Sequence, residues 1–413
     1  MNTYLVGGAV RDQLLNRPVV DRDWVVVGAT PDELIQRGFK PVGKDFPVFL
    51  NPQTHEEYAL ARTEKKQGKG YHGFSCYFAP DVTLEQDLER RDLTINAIAQ
   101  SEDGTLVDPF NGVADLQAKV LRHVSTAFIE DPLRVLRVAR FAARYHSLGF
   151  TIAEETLQLM RQLAASGELN HLTPERVWKE TEKALSENSP QVYFQTLHQV
   201  DALACIFPEL DRLWGIPNPP QWHPEIDSGI HTMMVLEQAA KLSSSIDVRF
   251  AALCHDLGKG LPPEQEWPSH KGHEVAGIKV IEKMSQRLRI PNKLKQLACV
   301  TSEYHLHCHR AFELNPKTLI KTLESTGAYR QENAFEQFLL ACKADFLGRT
   351  GFEDKPYPQL DFLSQLREKT ATIDAKPFID EGYTGKKIGE QIYRKRVSIA
   401  TSFRASFSDE TRA

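Results

Sequence analysis

Two stretches of this sequence carry residues that could do chemistry, and each calls for a different kind. Near the start stands Tyr4-Leu5-Val6-Gly7-Gly8-Ala9-Val10-Arg11-Asp12, followed by Asp21-Arg22-Asp23-Trp24-Val25-Val26-Val27. Side chains on a strand alternate faces, so Asp21 and Asp23 point one way and Arg22 the other. Two carboxylates side by side repel each other unless a cation sits between them. An all-oxygen site suits Mg²⁺, which takes one or two protein carboxylates and completes its shell with water and substrate phosphate. Gly7 and Gly8 let backbone amides approach an anion closely, and the helix start behind them favours negative charge. The stretch reads as a metal-dependent nucleoside triphosphate site.

The second stretch is Ala252-Leu253-Cys254-His255-Asp256-Leu257-Gly258-Lys259-Gly260. An adjacent His-Asp at the end of an apolar helix can offer one nitrogen and one oxygen to the same divalent ion. Eight of the 14 histidines lie between His223 and His309. His231, His270, His273, His305 and Asp345 are the further ligand candidates. A lone histidine is most often a satisfied core or surface residue. A spaced His, His-Asp, Asp set on successive helices is much rarer by chance. His305-Leu306-His307-Cys308-His309 looks zinc-like, but no second paired cluster stands at finger spacing, which argues against structural zinc.

The elements that must position these residues are readable from pattern. Strands are expected at 3–6, 22–27, 47–50 and 56–62, with helices near 9–16 and 31–37, where Pro31 suits a helix start. Residues 63–75 hold three glycines and three lysines. They read either as a plain solvated loop or as one that closes over nucleotide or RNA backbone. Asp108-Pro109-Phe110-Asn111-Gly112 is a turn by its chemistry. Asp131 and Pro132 open a helix on which Arg134, Arg137, Arg140 and Arg144 share about a third of the circumference. Such a stripe is either a solvated face or a set of donors for triphosphate and base. The pattern from 150 to 215 is helical, with Thr173-Pro174-Glu175-Arg176 as one helix start continuing through Glu180. Pro208, Pro217, Pro219 and Pro220 mark the clearest domain boundary. Gly382 to Arg396 reads as a glycine-marked basic helix.

A chain of 413 residues, 41% hydrophobic and 25% charged, predicts roughly two to four domains of ordinary globular composition. There is no apolar run long enough to span a bilayer, so no membrane partner is expected. The start lacks the charged and apolar regions of a secretion signal, and the six cysteines form no CxxC pair. Both features predict a cytoplasmic protein with reduced thiols. The net charge of -5 does not mark a nucleic-acid binder but leaves room for a local basic face.

Taken in order, Gly7-Gly8-Ala9-Val10-Arg11-Asp12, Asp21-Arg22-Asp23, Arg90-Arg91-Asp92, Asp108-Pro109-Phe110-Asn111-Gly112, Glu130-Asp131-Pro132-Leu133-Arg134 and Arg137-Val138-Ala139-Arg140-Phe141 resemble the bacterial CCA-adding tRNA nucleotidyltransferase family. His255-Asp256-Leu257-Gly258-Lys259 resembles the HD phosphohydrolase domain of that family's multifunctional type. Each motif is weak alone; the ordered set is specific and covers nearly the whole chain.

The resemblance implies an α+β fold: a small polymerase-β-type α/β head followed by an all-α body that includes an HD domain. The expected segments are a head at 1–140, a helical neck and body at 141–220, an HD domain at 221–350 and a helical tail at 351–413. It implies template-independent addition and repair of the tRNA 3′-terminal CCA from CTP and ATP, with Asp21 and Asp23 holding Mg²⁺. Gly8, Arg11, Arg91, Arg137 and Arg140 match positions that contact triphosphate, and Asp131 and Arg134 match the base-contacting pair. Glu57 is a candidate for a third head carboxylate and is left unassigned.

His255 and Asp256, completed by His231 and Asp345, would hold a divalent transition metal, which the family association makes Ni²⁺. They would support phosphatase and 2′,3′-cyclic phosphodiesterase activity. His273 and His305 are candidates for a second ion. The expected partners are tRNA lacking all or part of its CCA end, CTP and ATP, with the protein a monomer or homodimer. The competing readings are a bacterial poly(A) polymerase, which shares the head motifs, and an HD phosphohydrolase with an RNA-binding N-terminal module.

Overall fold

The computed structural model describes residues 1–42, 48–66, 74–221, 224–330 and 333–407. Most of the glycine- and lysine-rich loop read at 63–75 therefore lies outside the described residues. The chain forms two compact units, one of Met1–Ala184 with Val192–Ile206, the other of Leu185–Gln191 with Phe207–Ala413.

The first unit is built on β1 (Asn2–Val6), α1 (Gly8–Leu14), β2 (Asp23–Val27), α2 (Pro31–Gln36), β3 (Lys40–Pro41), β4 (Val48–Leu50) and β5 (Glu57–Leu60). A hairpin of β6 (Thr63–Lys66) and β7 (Phe74–Tyr77) follows, then α3 (Leu84–Glu89), β8 (Ala99–Ser101), β9 (Leu106–Val107) and α4 (Gly112–Ala118). The main sheet runs β3-β4-β5-β2-β1-β8-β9, and every pairing is antiparallel except β2 with β5. The expected strands and both expected helices are present within one to three residues at their ends. Alternation explains why the sheet buries both faces. Val25 joins Val6, Leu88 and Ala97 on one side, while Val26 joins Leu34, Phe49 and Leu60 on the other. Thr30 and Glu33 form a capping box at α2, with Pro31 as its first residue.

The chain then passes through the two-residue strands β10 (Val120–Leu121) and β11 (Thr151–Ile152), which pair in parallel, with α5 (Leu133–Tyr145) between them. The helices α6 (Glu154–Ala165), α7 (Pro174–Ser186), α8 (Gln191–Gln199) and α9 (Ala202–Ile206) follow.

The second unit is helical among its described residues. Its elements are α10 (Pro208–Asp211), α11 (Ser228–Leu242), α12 (Ile246–Cys254), α13 (His273–Arg287), α14 (Asn292–His309), α15 (Pro316–Ser325), α16 (Ala334–Leu347), α17 (Pro358–Ala371), α18 (Lys376–Asp380) and α19 (Lys386–Ser406). Val235, Ala239, Ala252 and Ala344 form a core of small side chains where α11, α12 and α16 meet. Small residues there let three helix axes approach closely. Gly348 continues this contact, since a β-carbon on it would stand 2.7 Å from the backbone of Val235. No helix among the described residues is long and apolar enough to cross a membrane.

Candidate active sites

In the head, the strand register brings carboxylates together. Asp23 lies beside Val6 on β1 and beside Glu57 on β5. Neighbours in register share a face, so Glu57 joins Asp23 and Asp21 on one side of the sheet. The other side takes Trp24, which stacks on Tyr58 at 5.5 Å and donates from Nε1 to Glu56. Asp21, Asp23 and Glu57 line a cleft of about 550 Å³. Desolvation pushes the Asp23 carboxyl above its ordinary value and Asp21 adds to the rise, while Arg91 opposes both. Carboxylates gathered on one face, with ionisation opposed by their own neighbour, form a donor set that fits a hard divalent cation.

Gly7 is where the backbone must be glycine. Its φ is +68°, and a β-carbon there would stand 2.8 Å from Nη1 of Arg91. The glycine pair therefore lets the Arg91 guanidinium lie against the turn between β1 and α1. Arg91 is steadied by Asp87 at 3.3 Å, and Asp87 is wholly buried beneath it. The Asp108–Gly112 turn supports the same region. The Asp108 carboxylate accepts from the amides of Gly112 and Val113, and a β-carbon on Gly112 would collide with the carbonyl of Thr94.

The arginine stripe of α5 is not an open cationic face, because each arginine already has a partner. Arg137 pairs with Asp92 at 2.7 Å and Arg140 with Glu180 at 2.6 Å. Arg144 reaches Asp12 at 3.3 Å, and Asp12 also binds Arg11 at 2.9 Å. Arg134 donates to the carbonyls of Ala127 and Arg90. Arg11, Arg134 and Arg140 are buried, whereas the side chain of Arg137 keeps 33% exposure and that of Arg91 19%. The helix start falls one residue later than expected, with Pro132 at the N-cap; Asp131, just before it, accepts from the amide of Leu133 and pairs with Arg176 at 2.9 Å. Arg176 and Glu180, both on α7, read in the sequence only as parts of a helix start. Their spacing of four residues on one helical face was the available signal.

In the second unit, His231 on α11, His255 at the end of α12 and Asp345 on α16 meet. Asp256, His273 and His305 form a second set. Within each set three ligand atoms lie within 4.8 Å of one another, and all six residues are buried. Asp345 Oδ1 is 3.2 Å from His231 Nε2 and 3.6 Å from His255 Nε2. Asp256 Oδ1 is 3.2 Å from His273 Nε2 and 3.7 Å from His305 Nε2. Adjacent His255 and Asp256 thus divide between the two sets.

Three of the imidazoles are held alike. The Nδ1 atoms of His255, His273 and His305 donate to the carbonyls of Ala252, His270 and Ser302, at 2.7, 2.8 and 2.8 Å. A neutral ring that donates from Nδ1 presents a bare Nε2, the form that ligates metal. His255 Nε2, His273 Nε2 and Asp256 Oδ1 are buried with no hydrogen-bond partner. Orphaned acceptors converging in this way are the observation that fits a bound cation. Burial, reinforced by the neighbouring His273 and His255, pushes His305 down to about 3 against the pull of Asp256 and Asp345. Burial also works to lower His255, but Asp256 and Asp345 override it and raise the ring to about 8, so a cation bound there would take the place of a proton on Nε2.

His270 stands outside both sets, its Nε2 donating to the carbonyl of Pro217. Lys259, missed by the ligand reading, pairs with Asp256 at 2.6 Å and donates to Asn218. A cavity of about 740 Å³ is lined by Lys259, Arg310, Arg349, Phe346 and Phe352 together with Asp256, His273, His305 and Asp345. Cations and aromatic rings beside buried ligands suit an anionic ester.

Gly258 explains how the His-Asp turn meets α13. A β-carbon on it would stand 2.0 Å from the carbonyl of His273 and 2.8 Å from the amide of Gly277. Gly258→Ala is expected to cost about 1–3 kcal/mol of stability and to separate Asp256 from His273. Thermal unfolding, with metal binding measured on the folded fraction, checks both effects.

Three family models match the chain: a poly A polymerase head domain at residues 3–122, a probable RNA and SrmB-binding site of polymerase A at 149–213, and an HD domain at 229–325. A multifunctional CCA protein of Hahella chejuensis is 57% identical over 410 residues, covering 99% of this chain and 97% of the relative. Two solved structures share the fold at lower identity. A CCA-adding enzyme in an apo form superposes with a TM-score of 0.67 at 22% identity, covering 99% of this chain and 89% of that one. A Thermotoga maritima CCA-adding enzyme complexed with tRNA gives 0.65 at 21% identity, with 98% and 92% covered. A polymerase-type head with a mixed sheet, a helical body and an HD domain, in one chain matched end to end at this identity, place the protein in the family of multifunctional CCA proteins.

Proposed function

We propose that this chain adds and repairs the 3′-terminal CCA of tRNA from CTP and ATP without a nucleic-acid template. The observation that carries the reading is the three-carboxylate face of Asp21, Asp23 and Glu57 beside the Gly7–Gly8 turn, in a chain 57% identical to a multifunctional CCA protein. Those carboxylates would hold Mg²⁺, which when bound supplies charge neutralisation at the triphosphate and a lower pKa for the tRNA 3′-hydroxyl. Arg91 and Arg137, whose side chains are partly exposed, reach the phosphates. Arg11 and Arg140 act from behind them as fixed positive charge, and Gly8 leaves its amide open to the anion. Asp131 accepts from the exocyclic amino group that cytosine and adenine share, and Arg134 donates to the ring edge. The tRNA is gripped by its backbone and shape, so affinity falls as salt rises.

The HD domain adds metal-dependent phosphatase and 2′,3′-cyclic phosphodiesterase activity. His231, His255 and Asp345 hold a divalent transition metal, with nickel as the family's associated ion. Asp256, His273 and His305 supply ligands for a second ion. Lys259 neutralises the phosphate from the side. The protein works in the cytoplasm, where its tRNA substrate is found.

The match of residues 3–122 to a poly A polymerase head keeps one competing activity in view. Each nucleotide supplied separately to tRNA lacking its CCA end separates the two. The expected result is CMP incorporation on tRNA lacking the whole CCA end, and a single AMP on tRNA ending in CC. Unlimited AMP addition with no CMP incorporation would overturn the reading.

A further inference from the structure

His309 lies at the end of α14 inside the HD cavity, and its ring is held unlike those of His255, His273 and His305. Its Nε2 is 2.6 Å from Oδ2 of Asp345, and its Nδ1 is 2.9 Å from the hydroxyl of Tyr357. A carboxylate cannot donate, so the proton of a neutral His309 ring sits on Nε2. Nδ1 is then an acceptor, and the Tyr357 hydroxyl donates to it. The proton order is the reverse of that in His255, His273 and His305, whose Nδ1 atoms donate to carbonyls and whose Nε2 atoms are bare. His309 thus offers the centre an N–H and not a lone pair, so it is not built as a ligand.

The N–H occupies one oxygen of Asp345 and leaves the other to His231 and His255, which stand 3.2 and 3.6 Å from Oδ1. Tyr357 is itself buried and held, with its hydroxyl also 3.3 Å from Cys308 Sγ. The carbonyl of His309 accepts from Gln359 at 3.1 Å, so ring and backbone are both anchored to the segment that begins α17.

We propose that His309, oriented by Tyr357, is a positioning residue that holds Asp345 through Oδ2, so that Oδ1 is the oxygen that would face a metal held with His231 and His255. The proposal rests on the metal reading of the HD site. It adds a cause for the fixed geometry of Asp345: an imidazole and a phenol, in series, do for this carboxylate what a backbone carbonyl does for His255, His273 and His305. Partners of this kind typically change metal affinity about 10- to 100-fold when removed.

The test is binding of Ni²⁺ and Mn²⁺ to the metal-stripped full chain, by competition with a chromophoric chelator. His309→Ala is expected to weaken binding about 10- to 100-fold. His309→Gln, whose amide can still donate to Asp345, is expected to recover most of the loss. Tyr357→Phe is expected to fall between native and His309→Ala. Nucleotide addition by the head should stay at the native level in all three, reporting a folded protein. Native affinity in His309→Ala overturns the proposal, whether hydrolysis survives or not, since hydrolysis lost at unchanged affinity assigns His309 to the substrate. Failure of His309→Gln to recover affinity also overturns it. His255→Ala is the separate control: if it leaves Ni²⁺ and Mn²⁺ affinity unchanged, the metal reading itself fails.

Discussion

Asp21→Ala is expected to abolish CMP and AMP addition while leaving phosphoester hydrolysis intact, and His255→Ala to do the reverse. The two residues belong to different compact units and to different donor sets. Asp21 is one of the carboxylates on a single face of β2 and β5. Without it, the cleft has less charge to hold a cation against the triphosphate. Several kcal/mol of transition-state stabilisation are at stake, so incorporation should fall by about a thousandfold or more. The fold should survive, because Asp21 is exposed and its carboxylate repels Asp23. Relief of that repulsion should also lower the Asp23 pKa, leaving the head slightly more stable. His255 is buried and its Nε2 is without a partner. His255→Ala removes that nitrogen and opens a cavity costing about 2 kcal/mol, modest beside the loss of a metal ligand. Incorporation assays on tRNA lacking its CCA end and hydrolysis of a 2′,3′-cyclic nucleotide, run on the same preparations, measure both arms. If either substitution removed both activities from a folded protein, two independent sites would be the wrong description.

The contrast between what the residue pattern predicts and what the fold adds is physical. Alternation placed β2 within a residue of its observed start, because a half-buried strand writes its period directly into the sequence. Of the spaced set His231, His255-Asp256 and Asp345, α11, α12 and α16 bring His231, His255 and Asp345 together, while Asp256 joins His273 and His305. Glu57 had no comparable signal. Its place beside Asp23 depends on the register of β5 against β2, which neighbouring residues do not encode. In the sequence, His305, His307 and His309 form one zinc-like run, yet the three rings go different ways. His305 faces Asp256, His307 bonds Thr322, and His309 takes Asp345. The arginine stripe shows the same limit. Helical spacing identifies the shared face of Arg137, Arg140 and Arg144, but their carboxylate partners come from positions 92, 180 and 12. A reading of the helix alone sees cations without the acids that hold them.

Those acids make Asp92 the most consequential residue of the head outside the carboxylate face. It is 6% exposed, and its two oxygens are fully engaged. Oδ1 accepts from the Leu93 amide and from Asn96, each at 2.9 Å, while Oδ2 takes Arg137 at 2.7 Å. Asn96 in turn accepts from Arg11, so one carboxylate links α5 to the turn that carries Gly7 and Gly8. Asp92→Ala leaves a buried amide and a guanidinium without their acceptor. The expected cost is about 3 kcal/mol, at the low end for a broken buried pair, because Arg137 keeps partial exposure and Glu180 at 3.8 Å. KM for CTP and ATP should rise together, since the phosphates are common to both, while the choice between the bases is unchanged. Although burial alone would raise it, Arg137, Asn96 and Arg134 hold the Asp92 carboxyl well below the ordinary range. A carboxyl depressed in the folded state contributes stability above its unfolded pKa and loses it as pH falls through the folded value. Native protein and Asp92→Asn should therefore differ by a constant amount from pH 7 down to about 5, and the gap should shrink progressively as pH falls below about 4. Urea unfolding across that range measures the narrowing; a stability gap that stays constant to pH 2 would show that Asp92 is not the group being titrated.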